Sequence, residues 1–165
     1  MTTTISTDTG FTDEELQLSQ DTPINQINNY LFLGSVEACD PAILEEHGIT
    51  TIIRLCSRAE EGEIMFRCPD NITHHLHFIA DHHSRLITPL IYKSHYIIQQ
   101  EQEHGGKVLV HCQAGISRSA TIVIGHLILT GMSATNALKY VERKRPCVWP
   151  NAGFQRELLE LEEEH

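Results

Sequence analysis

The sequence predicts an α/β fold, a single domain with a central, mostly parallel sheet of about five strands flanked by helices on both faces. Three observations carry that reading. Short apolar, β-branched runs alternate with helical stretches of ten or more residues, the order in which helical crossovers join parallel strands. The run "TTIIRLC" is β-branched or apolar at every position but Arg54, as expected for a strand covered on both faces. The 165 residues suffice for one domain with its own core, because a chain of that size buries roughly 70% of the surface it exposes when unfolded.

Residues 1–22 are Thr, Ser and acid with few apolar anchors, so a flexible amino-terminal tail is expected, with at most one helical turn near Asp13 to Leu18. The folded domain then spans 23–165. "INQINNYLFLG" predicts two short strands joined at Asn28 and Asn29, residues that tolerate the positive φ of a tight turn. "DPAILEEHG" predicts a short helix with Asp40 as N-cap, Pro41 at its first position and Gly48 past its end. "ITTIIRLC" is the next strand, and "ITHHLHFIAD" a weaker one ending at Asp81. A helix is expected from about Pro89 to Glu103, closed by Gly105 and Gly106, followed by the strand "KVLVHC". Three helices complete the chain: "SRSATIVIGHLILTG" closed by Gly131, "SATNALKYVERKR" capped by Ser133, and "GFQRELLELEEE".

The net charge of −10 argues against DNA, RNA and anionic membranes as partners, because an acidic surface repels phosphate. The cluster "ERKRP" does not reverse this: cations in a last helical turn suit the helix dipole. The five cysteines (Cys39, Cys56, Cys68, Cys112, Cys147) are odd in number and lack C-x2-C spacing, so they read as reduced thiols of a cytoplasmic or nuclear protein rather than a disulfide or zinc framework. Neither a leader segment nor an apolar run of about 20 residues is expected. The sequence carries no signal of an oligomeric state.

In an open α/β sheet a site is expected at the carboxyl ends of the strands, where Asp81 and Cys112 both fall. "HCQAGISRS" leaves a strand and enters a helix, so successive N–H groups lack partners and form an anion nest. Gly115 permits the tight backbone, and Arg118 supplies a fork that pairs with two phosphate oxygens. A cysteine at such a helix end, Cys112, is expected to ionise readily. The alternative for an isolated cysteine is a small buried hydrophobe. His111, Gly115, Arg118 and Ser119 at these spacings favour chemistry. The chain lacks a G-x4-G-K-[ST] loop, and "GISRS" fails the G-x-S-x-G elbow at Ser119.

"VHCQAGISRSAT" resembles the H-C-x5-R-[ST] signature of the protein tyrosine phosphatase superfamily, in detail its dual-specificity branch. "YLFLGS", "GITTIIRL", "GGKVLVHC", "RPCVWPNAGF" and "LLELE" resemble that branch in the same order, across about residues 24 to 162. The resemblance implies that 23–165 is a small, atypical dual-specificity phosphatase catalytic domain working in two steps without cofactor or metal. Cys112 would attack phosphorus, Asp81 would serve as general acid and then base, Arg118 would hold the phosphoryl oxygens, and Ser119 would help the thiolate leave. Gln113, Ala114, Gly115, Ile116 and Ser117 would line the phosphate, with His111 orienting the loop. Asn151 matches a position beside the site, and a turn role after Pro150 stays open; so does a cap role for Asp81.

Two departures from that branch stand out: His82 and His83 after Asp81, and "GHLI" after "ATIVI". With His74, His75 and His77 the first pair invites a metal reading, weaker than pH tuning of the acid. Cys56, ending its strand, could form a reversible disulfide with Cys112, or could be a buried strand residue. None of the loop residues between Cys112 and Arg118 is basic, which favours phosphoprotein substrates carrying phosphotyrosine, phosphoserine or phosphothreonine. The rivals are a phosphoinositide or RNA 5'-phosphatase and a phosphopeptide-binding module.

Overall fold

The structure, a computed structural model, describes residues 10–62 and 67–165. Five strands, β1 (Ile24–Gln26), β2 (Leu31–Gly34), β3 (Thr51–Cys56), β4 (Thr73–Phe78) and β5 (Val108–His111), form one sheet in the order β1-β2-β5-β3-β4. Only the β1–β2 pair is antiparallel, so the expected mostly parallel five-stranded sheet is what forms. The α-helices among the described residues are α1 (Asp13–Asp21), α2 (Pro41–Glu46), α3 (Thr88–Glu103), α4 (Arg118–Leu129), α5 (Ala134–Lys144) and α6 (Ala152–Glu163).

Strand parity divides the core. Leu31, Leu33, Ile53, Leu55, Val108 and Val110 share one cluster with residues of α3 to α6, while Phe32, Ile52 and Leu109 join Ala38, Leu44 and Ile49 on the other face. Cys112 belongs to the first cluster. The fold is therefore thick on one side and thin on the other.

Three local expectations change. Residues 10–22 of the expected tail are not a single turn: α1 runs nine residues from a capping box in which Thr12 and Glu15 satisfy each other's backbone N–H groups. Its Ser19 Oγ accepts from Cys147 N at 3.0 Å, a tertiary tie that local composition cannot reveal. The tail's first nine residues lie outside the described set. The β1–β2 turn does not use positive φ; Asn28 Oδ1 accepts from Tyr30 N at 3.0 Å in a side-chain turn. A short 3-10 turn at Val36–Cys39, unannounced by any cap, precedes α2. β4 stops at Phe78, which leaves Asp81 in the following loop.

Candidate active site

β5 ends at His111 and α4 begins at Arg118, so residues 112–117 must turn tightly at the carboxyl edge of the sheet. Every carbonyl in that turn is claimed from outside it. Cys112 O receives His111 Nδ1 at 3.1 Å, and Gln113 O receives Val36 N at 3.1 Å. Ala114 O and Gly115 O receive Arg145 Nη2 and Nε at 3.2 and 2.9 Å. Ile116 O receives Trp149 N at 2.7 Å, and Ser117 O receives Thr121 N at 2.9 Å. With the carbonyls turned outward, the N–H groups turn in. Among the described residues those of Gln113, Ala114, Ile116 and Ser117 have no protein acceptor, and Gly115 N donates to Cys112 Sγ at 3.3 Å. That is an anion cradle at a helix amino end.

Gly115 is required here twice over. Its φ is +68°, and a Cβ would meet the Gly34 carbonyl at 2.6 Å and Arg145 Nη2 at 2.8 Å. Ser119 Oγ lies 3.1 Å from Cys112 Sγ, within hydrogen-bond reach of the sulfur. Arg118 is buried and held by Glu60, with Nη1–Oε1 at 2.5 Å and Nη2–Oε2 at 3.0 Å, and Nη1 also donates to Ile79 O at 3.2 Å. This pairing, above all the hydrogen bond from Arg118, holds the Glu60 carboxyl down at about 2. Arg118 Nε is buried with no partner in the protein, an orphan donor that an anion in the cradle would satisfy.

Asp81 Oδ1 accepts from Ser117 Oγ at 2.7 Å and from Asn151 Nδ2 at 2.9 Å, while Asn151 N donates to Ser117 Oγ at 3.0 Å. Asn151 also caps α6, its Oδ1 accepting from Phe154 N at 2.9 Å, so both readings of that residue hold at once. Gly153 lets the backbone at His83 pack against the start of α6. These contacts bring Asp81 to the rim of the cradle.

Cys112, Gly115, Ser117, Arg118, Ser119, Asp81 and Asn151 thus converge, and Gln113 and Ala114 present exposed surface at the same turn. His111 does not reach the cradle. Its ring points to the opposite face, where Nε2 lies 3.1 Å from Cys39 Sγ. Because Cys112 O can only accept, His111 Nδ1 carries the hydrogen and the bare Nε2 accepts from the Cys39 thiol. Burial holds the imidazole neutral, with its pKa pushed down to about 4, and burial pushes the Cys39 thiol up to about 12. His111 is a support for the turn rather than a substrate contact.

Cys56 closes β3 as a buried residue in register with Phe78 of β4. Both Cys56 and Cys112 are free thiols in this structure. Successive residues of β4 point to opposite faces, and among the described residues no three potential metal ligands are gathered. Sequence reasoning missed Glu60, Cys39 and Arg145. The last is fully buried and also donates through Nη1 to Thr22 O and Asn25 Oδ1 at 2.7 and 2.9 Å, so of the cations in "ERKRP" Arg143 and Lys144 sit in the last helical turn while Arg145 supports the cradle. The proline that follows it signals the end of the helix but not which side chain turns inward.

Residues 31–164 match the family described as "Dual specificity phosphatase, catalytic domain". Dual specificity protein phosphatase 1 of Arabidopsis thaliana is 34% identical over 138 residues, covering 82% of this chain and 67% of that protein. The serine/threonine/tyrosine-interacting protein of Mus musculus is 38% identical over 136 residues, covering 80% of this chain and 61% of that protein. The chain thus spans two thirds of the length of the first relative and about three fifths of the second. Among solved structures, human tyrosine phosphatase-like serine/threonine/tyrosine-interacting protein aligns with a TM-score of 0.82 at 35% identity, over 86% of this chain and 97% of that one. Signature, cradle and matched length agree: the chain belongs to the dual specificity phosphatase family.

Proposed function

We propose that the chain is a protein phosphatase that hydrolyses phosphotyrosine and phosphoserine or phosphothreonine through a phosphocysteine. The observation that carries this is the cradle, with the Cys112 sulfur at its base and the buried, unpartnered Nε of Arg118 beside it. Cys112 sulfur attacks phosphorus; the bond from phosphorus to the leaving oxygen breaks, and Asp81 gives that oxygen its proton. Water then attacks the phosphocysteine, Asp81 takes the water proton, and the S–P bond breaks to return the sulfur with its electron pair. Asp81 Oδ1 is already engaged by Ser117 and Asn151, which leaves Oδ2 to carry the proton. Ser119 Oγ donates to the departing sulfur.

Inward N–H groups and Arg118 stabilise charge on the equatorial oxygens without reorganising, the effect that contributes most in sites of this kind. No metal or cofactor enters the scheme. The five free cysteines support a reducing, cytoplasmic or nuclear setting. The name of the mouse relative favours a second reading, a module that binds phosphopeptides with little turnover. Hydrolysis of a small aryl phosphate separates the two. Wild type is expected to turn over and Cys112→Ser to bind phosphopeptide without releasing phosphate; no turnover by wild type would leave the binding reading. A Cys112→Ser or Asp81→Ala trap would then identify the bound phosphoprotein.

A further inference from the structure

Next to Arg118 the loops that follow β3 and β4 enclose a groove of about 690 Å³, whose walls include Arg58, Phe78, Ile79, Ala80, Arg85 and Leu86. Its inner wall is continuous with the catalytic centre. Ile79 O is a partner of Arg118 Nη1, and Ala80 precedes Asp81. The floor is apolar and the rim carries two cations. The Arg58 guanidinium lies 3.5 Å from the centroid of the Phe78 ring, which fixes the charge in place before any ligand arrives. Among the described residues its one ion pair is with Glu61, at 3.9 Å between side chains 75% and 50% exposed, too long and too wet to occupy the cation. Arg85 has no ion pair among the described residues, and Leu86 beside it is 74% exposed. The nearby acids are engaged elsewhere: Glu60 by Arg118, and Asp81 by Ser117 and Asn151.

On a chain of net charge −10, two available arginines over an apolar floor at the lip of the cradle are a local reversal of sign. We propose that this groove receives the substrate polypeptide on one side of the phosphoresidue and selects acidic side chains there, with an apolar neighbour lying against Leu86. The proposal rests on the phosphatase reading and names the kind of phosphoprotein it takes. With the phosphate seated on Arg118, the next residues of the substrate pass Asp81 and Ala80, and a carboxylate reaches Arg58 and Arg85. Each exposed pair is weak, but two act together and steer encounter, so the preference shows in kcat/KM and fades with salt.

The test compares phosphopeptides carrying glutamate or lysine on either side of the phosphoresidue with a small aryl phosphate that cannot reach the groove. Wild type is expected to prefer the acidic peptide on one side by about tenfold at low salt. The double variant Arg58→Glu/Arg85→Glu is expected to prefer the lysine peptide, with aryl phosphate turnover within about twofold of wild type. Arg85→Gln alone should reduce the preference, which guards against misfolding of the double variant. Equal rates for acidic and basic peptides in wild type, or an unchanged preference in the double variant, would overturn the proposal. Should wild type leave the aryl phosphate intact, the phosphatase reading fails instead. The same peptides are then compared by equilibrium binding to Cys112→Ser, where equal affinities would overturn the groove and tighter binding of the acidic peptide would sustain it.

Discussion

The turn from Cys112 to Arg118 and the loop from Ile79 to Leu86 meet at one site, yet they are held in different ways. In the first, each carbonyl from Cys112 to Ser117 is tied to a donor, among them the fully buried Arg145. In the second, exposed Asp81 is fixed by two side-chain hydrogen bonds at one oxygen. The difference follows from what each must do. Stabilising charge by fixed dipoles requires that they not reorganise, whereas a proton donor needs only hydrogen-bond reach of the leaving oxygen.

The largest expected effect breaks the second region alone. Asp81→Asn should lower kcat by about 10³-fold for substrates with poor leaving groups, within the range of general acid catalysis. Competitive inhibition by inorganic phosphate should stay as it is; a matching loss of phosphate affinity would make Asp81 part of the cradle.

Breaking the first region should look different. Arg145→Met strips donors from Ala114 O and Gly115 O, and kcat/KM and phosphate affinity should fall together, the former by about 10²-fold. Thermal stability should fall as well, by about 3 kcal/mol, because buried acceptors are left unmet. A lower Tm with unchanged kinetics would confine Arg145 to a structural role.

A finer test lies on the far face. Cys39→Ala removes the donor to His111 Nε2 and should lower kcat by roughly tenfold, while Cys39→Ser, which keeps a donor, should stay within about threefold. Equal losses in both would show that packing rather than the hydrogen bond matters.

The fold was legible in the sequence where periodicity and caps agree, as in Asp40-Pro41 before α2 and Ser133 before α5. The cradle was legible because its spacing is local: Cys112, Gly115, Arg118 and Ser119 lie within one turn and the start of one helix. Its supports were not. Arg145, Glu60 and Cys39 reach the turn from distant segments, and single-sequence patterning carries no record of which cation of "ERKR" turns inward.

A separate expected effect is on stability against pH. Burial holds both His111 and His126 at about 4, below the ordinary 6.5, so the unfolded chain takes up their protons first. Stability should therefore fall as pH drops from about 6.5 to 4, by at most about 1.4 kcal/mol per histidine per unit. Glu60, lowered from 4.5 to about 2, adds a further loss between those values. A denaturant midpoint that stayed constant from pH 7 to 5 would contradict the histidine contribution.

The most direct measurement is rapid acid quench of wild type during turnover of a phosphopeptide, followed by mass spectrometry of the peptide that carries Cys112. One phosphoryl group on the Cys112 sulfur, absent from Cys112→Ser, is the expected result. Turnover with phosphate found on another residue, or with no phosphoenzyme and undiminished activity in Cys112→Ser, would contradict the account.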